Sequence, residues 1–368
     1  MKRKKAGIES RFLSLINMRR INREFYERSG ADGFIVSSRQ NKYYLAGLYS
    51  SRGYVLCCQD EMEVLVDGRY YAEMKSRYPQ ENIVLCPDHA AMMHEINAFI
   101  RRSRISRIGL EGNYLSYHAY QKLSDEIDCE AVSVDLDGLR KIKDSFEIES
   151  MRKACRIACD SLQQILPAIH AGMCEKEVEN LLVFTMKKNG AQKESFDVIV
   201  ASGLHGAFPH AKASDRVIGE NELVTIDYGC RVNEYCSDIT RTICIGHCSE
   251  ELHRIYDMVL SAHDAALKTI RPGALCGDVD AAARKVIEEA GYGKYFPHNL
   301  GHSIGIEDHE EPCFAPGSQE LLFPGMILSD EPGIYIEGLG GVRIEDDVLV
   351  TEEGCEMLSD FERKLIEL

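Results

Sequence analysis

An internal repeat in the C-terminal two-thirds of the chain restricts the fold more than any other feature. Three residues recur in the same order after 101 positions: Gly172, Val178 and Gly190 in the first copy, and Gly273, Val279 and Gly291 in the second. In each copy the pattern predicts a helix, a glycine turn, a second helix and another glycine, followed by a hairpin that carries acidic residues. We therefore expect a duplicated α+β half-domain, with a functional site at the seam between its halves.

The first part of the chain has a different pattern, in which short apolar runs alternate with helical stretches. An amphipathic helix is predicted from Ile8 to about Ser29. Strands are predicted at residues 33–36, 53–56, 63–66, 83–86 and 108–110, and helices at residues 69–77, 89–100 and 116–127. This alternation predicts a smaller α/β domain at residues 1–135.

The second domain is predicted to start with a long helix. Asp144 is followed three residues later by Glu147, a spacing typical of a helix N-terminus, and a helical pattern continues to about Leu166. We therefore expect a linker at residues 136–143 and a second domain at residues 144–368.

The composition argues against several kinds of partner and location. The chain has 59 acidic and 43 basic residues, and its net charge of −16 opposes binding to nucleic acid. No apolar run reaches the roughly 18 residues that a membrane-spanning helix needs. The 14 cysteines include no Cys-x-x-Cys pair and no spacing typical of a disulfide framework, which favours a reduced, cytoplasmic protein.

Two acidic residues are predicted to face each other across a hairpin. Asp227 ends one β-branched apolar run and Asp238 lies at the start of another. Their midpoint falls on Val232-Asn233, within a polar turn. A tight turn there sets the two side chains ~5 Å apart, where like charges are destabilising unless a cation lies between them.

A second hairpin repeats this arrangement. Glu331 and Glu345 have their midpoint at Gly338, within a glycine-rich stretch between two strand-like segments. Arg343 lies two residues before Glu345 and therefore on the same face of its strand.

The stretch Asn299–Gly305 is apolar and glycine-rich, and it contains His302, with His298 and His309 on either side. Together with the four carboxylates, His302 forms a hard, oxygen-rich ligand set that suits Mn²⁺, Co²⁺, Zn²⁺ or Fe²⁺ better than a structural zinc. Five ligands exceed what one catalytic zinc takes, so two ions ~3.5–4 Å apart are expected, and with them hydrolysis. The alternative is that these are surface acids. We disfavour it because burying an unpaired carboxylate beside apolar strand residues is costly.

With these residues in view, the sequence resembles the pita-bread metallopeptidases, which include methionine aminopeptidase, Xaa-Pro aminopeptidase and prolidase, with creatinase as a metal-free relative. The matching segments are 226–229, 237–242, 301–305, 331–335 and 342–346. Residues 12–140 resemble the creatinase-type N-terminal domain, which favours the proline-specific branch. The resemblance implies an α+β pita-bread catalytic domain preceded by an α/β domain.

The resemblance also implies individual roles. Asp227 is expected to bind one metal ion, His302 and Glu331 the other, and Asp238 and Glu345 both. Glu331 is also expected to act as the base for the attacking water.

Further residues are expected to contact substrate or to stabilise the tetrahedral intermediate. They are His210, in Phe208-Pro209-His210-Ala211, together with His298, His309 and Arg343. A structural or surface role is expected for His205, His247, His253 and His263. Asp330 departs from the family, in which an apolar residue or Thr is common, and strand alternation predicts that it faces away from the metals, with a supporting role beside them as the alternative.

The function expected from the sequence is that of a two-metal exopeptidase that hydrolyses the N-terminal Xaa-Pro bond of peptides, with manganese as the first candidate metal. The alternative is an Xaa-Pro dipeptidase (prolidase), which must bind the free carboxylate of its substrate through Arg343 or another cation. A third hypothesis is an inactive binding protein on the same fold, which the complete ligand set disfavours. The resemblance also implies a homodimer.

Overall fold

The structure is a computed structural model, and it describes residues 21–79 and 82–368. The chain forms two compact units, Met1–Arg140 and Lys141–Leu368. Most of the helix predicted from Ile8 lies outside the described residues. Its C-terminal part is seen as α1 (Arg23–Ser29), which begins after the N-cap Asn22.

The first unit contains a six-stranded sheet in the order β4-β3-β2-β1-β5-β6. Its strands are β1 (Gly33–Val36), β2 (Tyr54–Cys58), β3 (Met62–Val66), β4 (Ile83–Leu85), β5 (Arg107–Glu111) and β6 (Glu130–Val134). Its remaining helices are α2 (Arg39–Ala46), α3 (Gly68–Arg77), α4 (His89–Arg102) and α5 (Tyr117–Glu126). The five predicted strands and three of these helices are confirmed, whereas α2 and β6 were not predicted.

The sheet of the first unit is covered by apolar side chains on both faces. Phe34 and Val36 belong to one buried cluster and Ile35 to another, as the alternation of a strand requires. A strand buried on both faces has a continuous apolar sequence, which explains the run at residues 33–36. The predicted α/β class of this part is therefore confirmed.

The second unit contains the repeat. Its helices are α6 (Ser145–Ile165), α7 (Glu175–Lys188), α8 (Glu250–Leu267) and α9 (Cys276–Glu289). The helix α6 begins with the predicted capping box of Asp144 and Glu147. The helices α7 and α9 begin and end at positions 101 residues apart, and the glycines that flank both helices have positive φ. The structure thus confirms the repeat that the glycine spacing predicted.

The strands of the second unit form two main sheets, in the orders β19-β11-β8-β7 and β13-β12-β14-β17-β18, and two short hairpins, β9–β10 and β15–β16. The first sheet and the first short hairpin comprise β7 (Ile199–Ser202), β8 (Glu222–Tyr228), β9 (Arg231–Val232), β10 (Tyr235–Cys236), β11 (Ile239–Ile245) and β19 (Ile366–Glu367). The other strands are β12 (Gly301–Ser303), β13 (Glu310–Phe314), β14 (Ile327–Asp330), β15 (Gly333–Ile336), β16 (Gly340–Arg343), β17 (Asp346–Val350) and β18 (Cys355–Met357). An isolated bridge between Thr240 and Glu345 joins the two main sheets. The seam between the halves therefore passes through these two residues.

The register of the first acidic hairpin differs from the prediction. Asp227 lies opposite Thr240 and not opposite Asp238. The turn is centred on Asn233 and Glu234, which have φ of 51° and 63°, while the β-branched Val232 stays in β9, as its poor fit to positive φ requires. When the centre of a hairpin turn moves by one residue, the residue opposite Asp227 changes by two, from Asp238 to Thr240. A shift of two keeps the face of the strand, so Asp238 still points to the predicted side.

The register of the second acidic hairpin is confirmed. β14 pairs with β17 and β15 pairs with β16 about the same centre, Gly338, which has a φ of 81°. Glu331 and Glu345 lie at the interruption between these two ladders, where the chain leaves one pair of strands and enters the other.

Within the described residues, the helices are all too short or too polar to cross a membrane.

Candidate metal centre and substrate cavity

A cavity of about 450 Å³ in the second unit is lined by every residue that the sequence predicted for the site. These residues are Asp227, Asp238, His302, Glu331 and Glu345 from the predicted ligand set, and His210, His298, His309 and Arg343 from the predicted substrate contacts. Seven of them come from β8, β12, β16 and the segments that border β11, β13, β14 and β17. His210 lies between β7 and β8, and His298 lies between α9 and β12. The seam of the duplicated domain thus opens into one cavity that brings these nine residues together.

Three of these residues are close enough to share one metal ion. Asp238, His302 and Glu345 are buried, and each offers a ligand atom within 4.8 Å of the others. Asp238 immediately precedes β11, Glu345 immediately precedes β17, and His302 is the central residue of β12. One strand and the residues just before two others, in two sheets, therefore supply this group.

The other two predicted ligands border this group. Glu331 has its Oε1 atom 3.3 Å from Nε2 of His302 and accepts a hydrogen bond of 3.2 Å from the Ser329 hydroxyl. Asp227 accepts a hydrogen bond of 2.6 Å through Oδ2 from Nη2 of Arg343. Its Oδ1 atom is buried and has no hydrogen-bond donor among the described residues.

The charges of these acids indicate that the site suits a cation. Burial and the neighbouring carboxylates raise the pKa of Asp238 and of Glu345 well above the ordinary values. Burial, followed by Asp227, raises the pKa of Glu331 to about 7. The Oδ1 atom of Asp238, like that of Asp227, is buried without a donor in the described part of the chain. Divalent cations would satisfy these oxygens and relieve the repulsion, so the residues present fit a metal centre.

His302 is arranged as a neutral ligand. Its Nδ1 atom lies 3.1 Å from the Ser303 carbonyl oxygen, which requires a proton on Nδ1 and leaves the lone pair of Nε2 directed at the carboxylates. Burial lowers the pKa of His302 to about 4, which keeps the ring uncharged. The ring is stacked on His309, with centroids 3.8 Å apart.

The sequence did not identify two residues that hold this arrangement. The Thr240 hydroxyl donates a hydrogen bond of 2.5 Å to Oε2 of Glu345 and accepts one of 3.1 Å from Nε of Arg343. The Tyr335 hydroxyl accepts a hydrogen bond of 2.8 Å from Nη1 of Arg343. Both residues lie in the segments that carry the family resemblance, so their position in those segments was the available signal.

His298 is held in one tautomer. Its Nδ1 atom donates to the Asn299 carbonyl oxygen at 2.7 Å, so that Nε2 accepts a hydrogen bond of 3.0 Å from the Tyr335 hydroxyl. Burial lowers the pKa of His298 to about 4, and the ring is therefore neutral.

The remaining predicted contacts lie on the open wall of the cavity. His309 is exposed, and its hydrogen bond to Asp308, 3.2 Å long, raises its pKa. His210 is also exposed and lies beside Pro209, whose carbonyl oxygen accepts a hydrogen bond from Arg343. Lys212, which belongs to none of the predicted site residues, lines the same wall.

The histidines expected to be structural lie outside the cavity lining. His205 binds the buried Glu175 at 2.9 Å, and His247 and His253 each lie 3.5 Å from Glu367. His263 is completely buried next to acidic residues.

Asp330 faces away from the cavity, as strand alternation predicted, and is completely buried. Its Oδ2 atom lies 3.7 Å from Nε2 of His263.

Comparison with known proteins assigns the chain to a family. Residues 18–142 match the creatinase/prolidase N-terminal domain, and residues 149–352 match metallopeptidase family M24. The chain belongs to family M24. It is therefore a metallopeptidase, a class of enzyme that acts with divalent metal ions, and the resemblance to the pita-bread enzymes is confirmed.

Relatives of this M24 chain are similar over nearly its whole length. An Xaa-Pro dipeptidase of Pyrococcus furiosus is 36% identical over 93% of this chain and 97% of its own length. The structure of an Xaa-Pro dipeptidase from Bacillus anthracis is 37% identical and has a TM-score of 0.90, with 97% of this chain and 99% of that chain covered. An X-Pro aminopeptidase from Thermotoga maritima is 33% identical and has a TM-score of 0.87, with 94% of this chain and 100% of that chain covered.

Proposed function

We propose that the protein is an exopeptidase that hydrolyses the bond between an N-terminal residue and a following proline. The observation that carries this proposal is the convergence of four buried or nearly buried carboxylates and a neutral imidazole in one cavity of a chain of family M24. The relatives named Xaa-Pro dipeptidase and X-Pro aminopeptidase support the choice of substrate.

We assign five residues to two divalent metal ions. Asp227 would bind one ion, His302 and Glu331 would bind the other, and Asp238 and Glu345 would be shared between them. When bound, the ions polarise the scissile carbonyl and supply a water that is nucleophilic at neutral pH. The oxygen-rich ligand set favours manganese, with Co²⁺, Zn²⁺ and Fe²⁺ as alternatives.

The protein residues move the proton and stabilise the reacting groups. Glu331 accepts a proton from the attacking water and returns it to the departing amine. His309, with its raised pKa, donates a hydrogen bond to the oxygen on which negative charge develops. Arg343 holds Asp227 and Tyr335 in place, while His298 and His210 contact the substrate.

We place the dipeptidase first among two proposed specificities because the cavity wall has a basic side chain that can bind a substrate carboxylate. A dipeptidase must bind the free carboxylate of the substrate proline. The guanidinium of Arg343 is already engaged by Asp227, Thr240 and Tyr335. Lys212 is exposed on the cavity wall and is the cation that we assign to the carboxylate. The aminopeptidase remains the second candidate because the Thermotoga maritima relative is also similar over its whole length.

A peptide panel distinguishes these specificities. A dipeptidase cleaves Xaa-Pro dipeptides and leaves Xaa-Pro-Yaa peptides nearly intact, whereas an aminopeptidase cleaves the longer peptides at least as fast. In either case, activity is lost with a chelator and in Asp238→Ala. If Asp238→Ala and chelated wild-type protein hydrolyse both peptide series at the full rate, the proposed function is wrong.

Lys212 can be tested in the same panel. We expect Lys212→Ala to raise KM for dipeptides about tenfold, because a charge-assisted contact contributes about 1.4 kcal/mol. KM for dipeptide amides, which lack the carboxylate, should not change. Lys212→Arg is the matched control and should retain dipeptide affinity. Equal changes for acids and amides would exclude a contact with the carboxylate.

We further propose that the protein is cytoplasmic and forms a homodimer. All 14 cysteines lie in the described residues and are free, which supports a reducing compartment. The dimer is proposed from the family resemblance. Sedimentation equilibrium of the full chain tests the dimer, and fractionation of the source cells tests the location.

A further inference from the structure

Behind the candidate metal centre lies a group of charged side chains that the proposed mechanism does not use. Its members are Arg241, His263, Asp330 and Asp346, and each is at most 1% exposed. They come from β11, α8, β14 and β17. Burying charges in this way is costly unless acids and bases are paired.

The two acids of this group are tied by position to two proposed metal ligands. Asp330 and Asp346 are directly opposite partners in the β14–β17 ladder. Asp330 immediately precedes Glu331, and Asp346 immediately follows Glu345. Because neighbouring side chains alternate between faces, the ligands face the cavity while the two acids face the opposite side. Two carboxylates at directly opposite positions repel each other unless a cation joins them.

Arg241 compensates one acid of the pair. Its Nη2 atom donates a hydrogen bond of 2.7 Å to Oδ1 of Asp346. Its Nη1 atom donates to the carbonyl oxygens of Thr240 and Glu345, at 2.9 and 2.7 Å. Neither oxygen of Asp330 has a hydrogen-bond donor among the described residues. Arg241 therefore compensates Asp346 but makes no hydrogen bond to Asp330.

His263 lies beside both acids, and in the described geometry its two ring nitrogens make no hydrogen bond. Its Nε2 atom lies 3.0 Å from Oδ2 of Asp346 and 3.7 Å from Oδ2 of Asp330. A proton on Nε2 of His263 places a donor between the two acids. Burial by itself lowers the pKa of His263, but Asp330 and Asp346 outweigh burial and raise it above the ordinary value.

We infer that His263 is a positioning residue of the metal centre, which joins Asp330 to Asp346 and thereby sets the separation of Glu331 and Glu345. His263 lies on the opposite side of the strands from the cavity and does not contact the substrate. The inference rests on the proposed function to the extent that Glu331 and Glu345 bind metal.

Binding of Co²⁺ or Mn²⁺ to the metal-free full-length protein tests this inference, with the visible spectrum of Co²⁺ as a second signal. We expect His263→Gln to weaken binding at least tenfold and to change the Co²⁺ spectrum, because residues that orient metal ligands typically contribute 10–100-fold to affinity. His263→Gln leaves Asp330 buried without a cation. The double variant His263→Gln/Asp330→Thr removes both charges and should bind metal more tightly than His263→Gln alone.

The controls separate positioning from general stability. His253→Gln makes the same substitution at a partly exposed position of α8 and should leave metal binding unchanged. Thermal unfolding of each metal-free variant reports a loss of fold stability, which by itself would not change the Co²⁺ spectrum.

The titration also separates this inference from the proposed function. If wild-type protein and His263→Gln bind Co²⁺ with equal affinity and identical spectra, the inference is wrong while the metal site stands. The single variant Asp330→Thr completes the comparison. If the changes in Co²⁺ binding free energy of His263→Gln and Asp330→Thr add up to that of the double variant, the two residues are not coupled and the inference is wrong. A wild-type protein that binds no metal would overturn the proposed function together with the inference. Wild-type protein that binds metal but does not cleave Xaa-Pro peptides would refute the proposed substrate alone.

Discussion

Thr240 connects two residues of opposite charge at the point where the two main sheets of the second unit meet. Its hydroxyl donates to Glu345 and accepts from Arg343, and its backbone forms the isolated bridge with Glu345. A neutral side chain thus fixes the rotamer of an acid that we assign to both metal ions. Its contribution is orientation, since the charge of the centre comes from the acids.

We expect Thr240→Val to lower kcat/KM about 10–100-fold, the range typical of residues that orient a metal ligand. The substitution keeps the shape of the side chain but leaves Glu345 without its donor and Nε of Arg343 without its acceptor. Thr240→Ser retains the hydroxyl and is the matched control. Steady-state kinetics of both variants at saturating metal make the comparison. Equal activity of Thr240→Val and Thr240→Ser would show that the hydroxyl is not needed.

Lys42 gives the first unit a pH dependence of its own. The residue is 1% exposed, and its Nζ atom donates a hydrogen bond of 3.1 Å to the Gly53 carbonyl oxygen. Burial lowers its pKa from 10.5 to about 8. Between these values the unfolded chain holds a proton that the folded protein has released, so this residue makes stability rise with pH across that window.

The expected consequence is a difference between wild type and Lys42→Met that depends on pH. From pH 8 to pH 10.5 the stability of wild type should increase relative to the variant by about 3 kcal/mol. Urea unfolding monitored by hydrogen exchange in peptides from β1 and β2 measures this difference in stability at each pH. A difference that stays constant across the window would mean that Lys42 titrates normally in the folded protein.

At the scale of elements, the turns of the repeat depend on left-handed backbone. Gly273 has a φ of 78°, and a Cβ atom at this position would meet no atom within 4 Å. Gly354 also has open space for a Cβ atom but has no positive φ. These two glycines therefore differ in backbone conformation and not in packing.

We expect Gly273→Ala to destabilise the second unit by about 1–2 kcal/mol, the cost of left-handed backbone for a residue with a Cβ atom. Gly354→Ala is the control and should cost less than about 0.5 kcal/mol. Urea unfolding curves of both variants provide the measurement. Equal destabilisation by the two substitutions would show that the left-handed backbone at Gly273 does not require glycine.

The elements that the sequence predicted are those whose signal is local. The capping box at Asp144 and the repeated glycines identified helix ends because caps and left-handed turns depend on a few adjacent residues. The helix α2 was not predicted because its buried side includes Asn41 and Lys42, which hide the apolar period. The edge strand β6 was not predicted because it is only partly buried and its apolar run is therefore incomplete.

The candidate site was predictable in its residues but less so in its geometry. The nine predicted residues share one cavity. A shift of two positions in strand register leaves a side chain on the same face of the sheet. Asp227 and Asp238 therefore line the same cavity although they are not directly opposite each other. The contacts of Thr240, Tyr335 and His263 join segments that are distant in sequence. No local period could have predicted them.

At the scale of the whole molecule, we propose residues 136–143 as the linker between two units with separate cores. Leu136, at the start of this segment, is buried in the core of the first unit. At the end of the segment, the backbone N–H of Lys143 donates to the Gly325 carbonyl oxygen of the second unit. All the residues that we assign to the metals lie beyond the segment. Metal binding should therefore stabilise the two units unequally.

We expect metal removal to destabilise the second unit and to leave the first unchanged. Without cations, the buried carboxylates repel one another, and the protein also loses the free energy of binding, about 2.7 kcal/mol at a metal concentration 100-fold above Kd. Hydrogen exchange in chelator should rise in peptides that cover 223–245 and 327–350, while peptides that cover 33–66 keep their protection. Returning Mn²⁺ to wild-type protein should restore protection, whereas Asp238→Ala should respond less. Equal loss of protection in both units would mean that the metal centre stabilises the whole chain as one cooperative body.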